Sequence, residues 1–135
     1  MSRPAVRLAA LAALLAALGC AAARGGPWDA AEIERVTFQA GPERTRWDLA
    51  DRAAVAELAA CVNRAAPLPD EAARTFRPTA TFHVRARGPA EGIWQVAGGT
   101  GRFTRLAMNR TVVYQLDAPC QAAFARWLEA PAAGR

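Results

Sequence analysis

The chain has 135 residues, of which 17 are basic and 12 acidic, and its formal net charge is +5 with His neutral. This length supports one domain of ordinary size. All the basic residues are arginine, charges of both signs are mixed along the chain, and no nucleic-acid recognition motif occurs, so we expect a solvated surface and no nucleic-acid partner.

The first nineteen residues have the pattern of a secretory signal peptide. Arg3 and Arg7 precede an uninterrupted apolar run over residues 8–18. The run is shorter than the roughly 20 apolar residues that a transmembrane helix needs. A positive start, a short apolar stretch and a small-residue exit are typical of a signal peptide. We therefore assign residues 1–19 to a removable leader.

The leader ends in ALGC at residues 17–20, which resembles the lipobox of bacterial lipoproteins. In that family the peptidase cuts before the cysteine, whose thiol carries a diacylglyceryl group, so the resemblance implies lipidation of Cys20 and membrane attachment. Ala17 stands where the family more often has leucine. Ala21, in place of aspartate, implies an outer-membrane protein facing the periplasm. The alternative is ordinary secretory cleavage near residues 21–23, which would discard Cys20.

The other two cysteines form an even pair. Once Cys20 is assigned to lipid or to the leader, Cys61 and Cys120 remain, and an exported domain in an oxidising compartment can keep a disulfide. Reactive thiol chemistry is the alternative. The chain has one histidine and no CxxC or Cys/His cluster at metal-ligand spacing. We predict a Cys61–Cys120 disulfide, no metal and no cofactor.

Small residues dominate the stretch that follows the leader. We predict a lipidated flexible tether over residues 20–31, with Trp28 packed on the edge of the domain; a position at the lipid interface is the alternative for this residue. A single domain is expected over residues 32–130 and a flexible tail over 131–135.

Alternation of apolar and polar residues predicts the strands. Residues 33–39 alternate, and 45–49 can return as the second arm of a hairpin. Further strands are expected in four segments with β-branched or aromatic content: 80–87, 93–97, 102–108 and 111–116. In the first of these, Phe82 and Val84 face inward while His83 and Arg85 face outward.

Helical spacing of apolar residues predicts two helices, one beginning at Asp51 and one at Asp117. Their apolar stripes comprise Val55, Leu58, Ala59 and Val62 in the first, and Cys120, Phe124, Trp127 and Leu128 in the second. Each stripe contains or borders a cysteine. We predict an α+β fold: an antiparallel sheet of about five or six strands, with the two amphipathic helices joined by the disulfide on one face.

Three further features bear on function. The glycines at 98–101 fit a hairpin turn better than a phosphate loop, because a strand and not a helix follows them. His83 has no evident catalytic partner and is expected on a solvated strand face. Residues 66–79 are rich in proline and are predicted to form a loop that can serve as a functional surface.

The sequence thus predicts a membrane-anchored lipoprotein of the cell envelope that acts as a binding or structural module and is not an enzyme. Its expected contacts are the membrane, through lipid on Cys20, and an envelope protein or polymer. One alternative is an inhibitor of an envelope hydrolase that presents the 66–79 loop. The other is a small enzyme that uses His83 together with an acid.

Overall fold

A computed structural model describes residues 28–49, 51–107 and 110–129. The predicted leader, lipidation site Cys20, most of the tether and the 131–135 tail lie outside these residues. Within them, seven strands form one antiparallel sheet accompanied by three α-helices, which confirms the α+β class and adds at least one strand to the expected number. None of the described helices is long and apolar enough to cross a membrane.

The elements alternate along the chain, after a 3₁₀ turn at Ala30–Glu32. They are β1 (Ile33–Ala40), β2 (Thr45–Asp48), α1 (Arg52–Arg64), β3 (Ala66–Pro67), α2 (Glu71–Thr75), β4 (Ala80–Ala86), β5 (Gly92–Ala97), β6 (Arg102–Arg105), β7 (Val113–Gln115) and α3 (Ala118–Trp127). The strand order in the sheet is β2-β1-β4-β5-β6-β7-β3.

The 66–79 segment is more ordered than the predicted loop. Ala66 and Pro67 form the edge strand β3, which pairs with β7, and the Leu68 amide donates a hydrogen bond to the Val113 carbonyl. The single helical turn α2 follows. A strand of two residues is too short to show an alternation of apolar and polar side chains, so the sequence does not predict it. Proline is tolerated here because β3 lies at the edge of the sheet.

Helix α1 begins where predicted because Asp51 caps it, with its Oδ1 accepting the Ala53 amide. The expected apolar stripe is buried, together with Cys61. The guanidinium of Arg52 donates to the carbonyls of Ile33 and Ala30. These bonds attach the start of α1 to the start of β1.

Helix α3 covers the same face of the sheet. Asp117 caps it through the Cys120 amide, and Phe124 is buried. The Phe124 ring packs on Phe82 of β4 and Phe103 of β6, with centroid distances of 5.9 and 6.4 Å. The predicted placement of both helices against one apolar sheet face is therefore confirmed.

Trp28 lies inside the domain boundary. Its ring is buried and packs edge-on against Trp94 at a centroid distance of 5.0 Å, and its amide and carbonyl both bond to the Asn63 side chain. Residues 28–31, which we expected to belong to the tether, thus pack against the domain, because Trp28 supplies enough apolar area to hold them.

A disulfide joins Cys61 of α1 to Cys120 of α3, as predicted. Both cysteines are buried, and 59 residues separate them along the chain. The bond therefore links two elements that the sequence places far apart, and it holds both helices on the sheet.

Reduction of the disulfide is expected to destabilise the domain. The loop-closure model gives about 4 kcal/mol for a loop of this length, and measured values commonly fall to about 2 kcal/mol. Urea denaturation of the full chain with and without a reductant measures the difference. The Cys61→Ala/Cys120→Ala variant controls for effects of the reductant elsewhere, and equal midpoints in all three samples would contradict the expectation.

Gly101 ends the β5–β6 hairpin in a conformation that favours glycine. Its φ is +68°, and a Cβ atom there would lie 2.2 Å from Cγ of Gln121. Gly99, in the same turn, has open space around its Cβ position. The predicted glycine hairpin is therefore confirmed, and only one of these two glycines is required by its surroundings.

Gly101→Ala is expected to lower the free energy of unfolding by about 1–3 kcal/mol, because it adds backbone strain and a steric clash. Gly99→Ala serves as the matched control, with an expected change within about 0.5 kcal/mol. Thermal or urea denaturation measures both. Equal destabilisation by the two variants would show that the steric argument is incorrect.

Candidate functional site

The face of the sheet opposite the helices is open over β2, β1, β4 and β5, where no described element covers it. We call this surface the open face. It is formed by the side chains that alternate with the buried ones: Arg35, Thr37, Gln39, Arg46, Asp48, Thr81, His83, Arg85, Ile93 and Gln95. The other half of the same sheet face is covered by the 66–79 segment.

Two adjoining grooves run across the open face. One has a volume of about 430 Å³ and is lined by Arg35, Thr37, His83, Arg85 and Glu91. The second, of about 250 Å³, shares Thr37 and His83 and extends to Arg46 and Ile93. Polar and cationic groups line most of both grooves, which share Thr37 and His83.

His83 lies between these grooves with an acid beside it. Its Nε2 is 3.9 Å from Oε1 of Glu91, while Oε2 of Glu91 accepts the Ala86 amide. More than half of the imidazole is exposed. The distance exceeds that of a hydrogen bond, so Glu91 does not orient the ring as the partner of a general base does.

The arginines of the larger groove differ in their partners. Arg35 Nε is 3.7 Å from Oδ2 of Asp48, and Oδ1 of Asp48 accepts the Thr37 hydroxyl at 2.7 Å. Arg85 forms no ion pair with any described residue. The groove therefore presents at least one guanidinium to solvent.

An exposed apolar pair borders the His83 position. Ile93 pairs with His83 in the sheet, and the Leu106 amide donates to the Ile93 carbonyl. The relative exposures are 44% for Ile93 and 56% for Leu106. The open face thus carries charged groups at β1 and β2 and an exposed apolar pair at Ile93 and Leu106.

The 66–79 segment closes the remaining part of this sheet face. Ala72 of α2 is buried, as are Thr104 of β6 and Val113 of β7, whose side chains lie on the face away from Phe103. Arg110 and Asp70 form an exposed ion pair at 2.9 Å. A groove of about 290 Å³ remains between α2 and Arg102. The segment is therefore held at its edge strand, at Ala72 and at Asp70.

Away from the open face, a charged pair, Arg64 and Asp117, lies beside the disulfide. Arg64 Nη2 lies 2.8 Å from Sγ of Cys120, and Arg64 Nε donates to Oδ2 of Asp117 at 3.0 Å. The Cys120 amide and then Arg64 hold the pKa of the Asp117 carboxyl below its usual range. Arg64 thus connects the last residue of α1 to the residue that caps α3.

The sequence pattern predicts the outward direction of several of these side chains but not which of them lie close together. Alternation predicts that Arg85 and His83 face outward, and both do. It does not predict that Glu91 lies beside His83 or that Arg35 pairs with Arg85, because the register between two strands cannot be inferred from the alternation within one strand. No cluster of potential metal ligands occurs among the described residues.

Comparisons with protein-family models, with curated proteins and with solved structures find no match to this chain. The interpretation of the open face therefore depends on its own geometry and charge.

Asp117→Asn is expected to reduce the acid sensitivity of the domain. A carboxyl whose pKa is lowered by folding stabilises the protein above its unfolded pKa of about 4, and this contribution is lost as the pH falls through the folded value. Asparagine keeps an oxygen that can cap the helix, while the charge and its ion pair with Arg64 are removed.

The measurement is the free energy of unfolding between about pH 7 and pH 2, the range over which carboxylates titrate. The wild-type protein should lose more stability than the variant on acidification. Glu43→Gln, in the exposed β1–β2 turn, removes an equal charge as a control. Parallel curves for wild type and Asp117→Asn would show that this carboxyl does not contribute.

Proposed function

We propose that this protein is a membrane-anchored lipoprotein of the bacterial cell envelope that acts as a binding module through its open face. The membrane anchor rests on the resemblance of ALGC at residues 17–20 to a lipobox. The binding role rests on one observation: both long helices cover a single side of the sheet, which leaves grooves lined by charged residues on the other side.

The disulfide supports a role in an exported, rigid module. The bond between Cys61 and Cys120 holds the two helices together on the covered side. A binding surface on a stiff sheet loses little conformational entropy when a ligand associates, which favours affinity. The outer-membrane, periplasm-facing location follows from the lipoprotein resemblance alone.

A second candidate function is inhibition of an envelope hydrolase by the 66–79 segment. The pairing of β3 with β7 and the burial of Ala72 preorganise this segment. Preorganised loops bind with a smaller entropic cost than mobile ones. The groove beside Arg102 would then lie at the edge of the inhibitory contact.

The anchor predicts a specific mass and a specific distribution between cell fractions. The protein should be found in the membrane fraction, because acyl chains on Cys20 bury many methylene groups at about 0.8 kcal/mol each. Its mass should be that of an acylated chain that begins at Cys20. Its mass should increase by that of two hydrogen atoms when the disulfide is reduced to two thiols. A Cys20→Ala variant should lack the acyl mass. An unlipidated wild-type chain would refute the anchor.

The open face predicts a position-dependent cross-linking pattern in intact cells. A photoreactive amino acid is placed at Thr81 on the open face, at Arg74 in α2, or at Glu57 on the exposed side of α1. We expect a discrete and reproducible adduct from Thr81 alone, since binding buries that surface and leaves the helices in solvent.

The three positions separate the two candidate functions. An adduct from Arg74 without one from Thr81 would favour the hydrolase-inhibitor function. Equal adducts from all three positions, or none from any, would contradict a binding role for the open face.

A further inference from the structure

Two arginines of the open face lie directly opposite each other on neighbouring strands. Arg35 of β1 and Arg85 of β4 are register partners in the antiparallel pair, and both are exposed. Opposed positions bring Cβ atoms to within about 5.5 Å, where like charges destabilise the pairing. An anion held between the two guanidinium groups would remove this repulsion.

The described residues neutralise this pair only in part. Arg35 and Asp48 approach to 3.7 Å with both side chains about half exposed or more, at 61% and 48%. An exposed pair of this length contributes little. Arg85 has no ion-pair partner among the described residues. The site therefore retains positive charge that a ligand can use.

Glu91 is the opposing group in the same groove. It lines the groove together with Arg35 and Arg85, and its carboxylate is held by the Ala86 amide. This negative charge disfavours a bound anion. Removal of this charge should therefore increase the affinity for an anion, whereas removal of an arginine should decrease it.

We propose that the Arg35–Arg85 pair binds a phosphate group. Guanidinium groups present directed N–H donors that match phosphate oxygens. The 430 Å³ groove leaves room for the remainder of a phosphorylated ligand. The inference rests on the proposed function, because it names the ligand class of the same open face.

The only histidine of the chain provides the assay. His83 lines the groove, so its ring signals in a ¹H–¹³C NMR spectrum report binding without ambiguity of assignment. The intact protein in non-ionic detergent is titrated with inorganic phosphate and, separately, with glycerophosphoglycerol, the deacylated headgroup of phosphatidylglycerol. Sodium chloride at equal ionic strength is the reference.

We expect a saturable shift of the His83 signals with at least one phosphate probe and none with chloride. Arg85→Gln should weaken binding about threefold to fivefold, the effect of removing one partner from an exposed charge pair. Glu91→Gln should strengthen binding. Arg126→Gln, which removes the same charge from α3 on the other side of the sheet, should leave the affinity unchanged.

The two probes distinguish the sources of phosphate. A response to inorganic phosphate alone assigns the site to a free phosphate or phosphomonoester. A response to glycerophosphoglycerol assigns it to a phosphodiester such as a lipid headgroup. Both results support the proposal.

The absence of a saturable shift with either probe overturns the proposal, as does equal weakening by Arg85→Gln and Arg126→Gln, which would indicate attraction to overall charge. If the titration fails while cross-linking from Thr81 persists, the phosphate class is refuted and the binding face stands. If both fail, the binding face itself is refuted.

Discussion

The packing of Phe82 against three other elements is the contact on which this fold depends. Its ring is fully buried and meets Phe38 of β1, Trp94 of β5 and Phe124 of α3 at centroid distances between 5.7 and 6.2 Å. Aromatic rings bury large areas, and the three contacts are a tilted, a stacked and an edge-on pair respectively. The apolar face of a sheet must be covered by another layer. Phe82 contacts both neighbouring strands and the helix that covers this face.

Contacts at the helix ends then prevent this layer from shifting. The disulfide joins α1 to α3, Arg64 lies against both the disulfide and the Asp117 cap, and Arg52 attaches the start of α1 to β1. At the far end of α3 the Trp47 indole donates to the Trp127 carbonyl. Side chains thus connect the helix ends to other elements, and Trp47 also satisfies a carbonyl of the last turn of α3.

The sheet face opposite the two long helices has two parts. Beside β6 and β7 lies the 66–79 segment, which pairs with β7 and borders Arg102, and here Thr104 is buried, with its hydroxyl donating to the Val112 carbonyl. Over β1 and β4 no described element covers the sheet, and polar residues, among them Arg35 and Arg85, occupy the positions that alternate with the core. Polar and charged side chains retain most of their hydration at an open surface, whereas burial without partners would cost free energy.

The sequence by itself determined the elements whose pattern is local. The period of two over residues 33–39 and 80–87 predicted β1, β4 and the outward direction of His83 and Arg85, and helical spacing predicted both long helices and their buried cysteines. Only the tertiary structure decided that β3 pairs with β7, that Glu91 lies beside His83, and that Arg35 faces Arg85. Each of these depends on register between segments distant in the chain, and register is set by the packing of the whole sheet rather than by the residues of one strand.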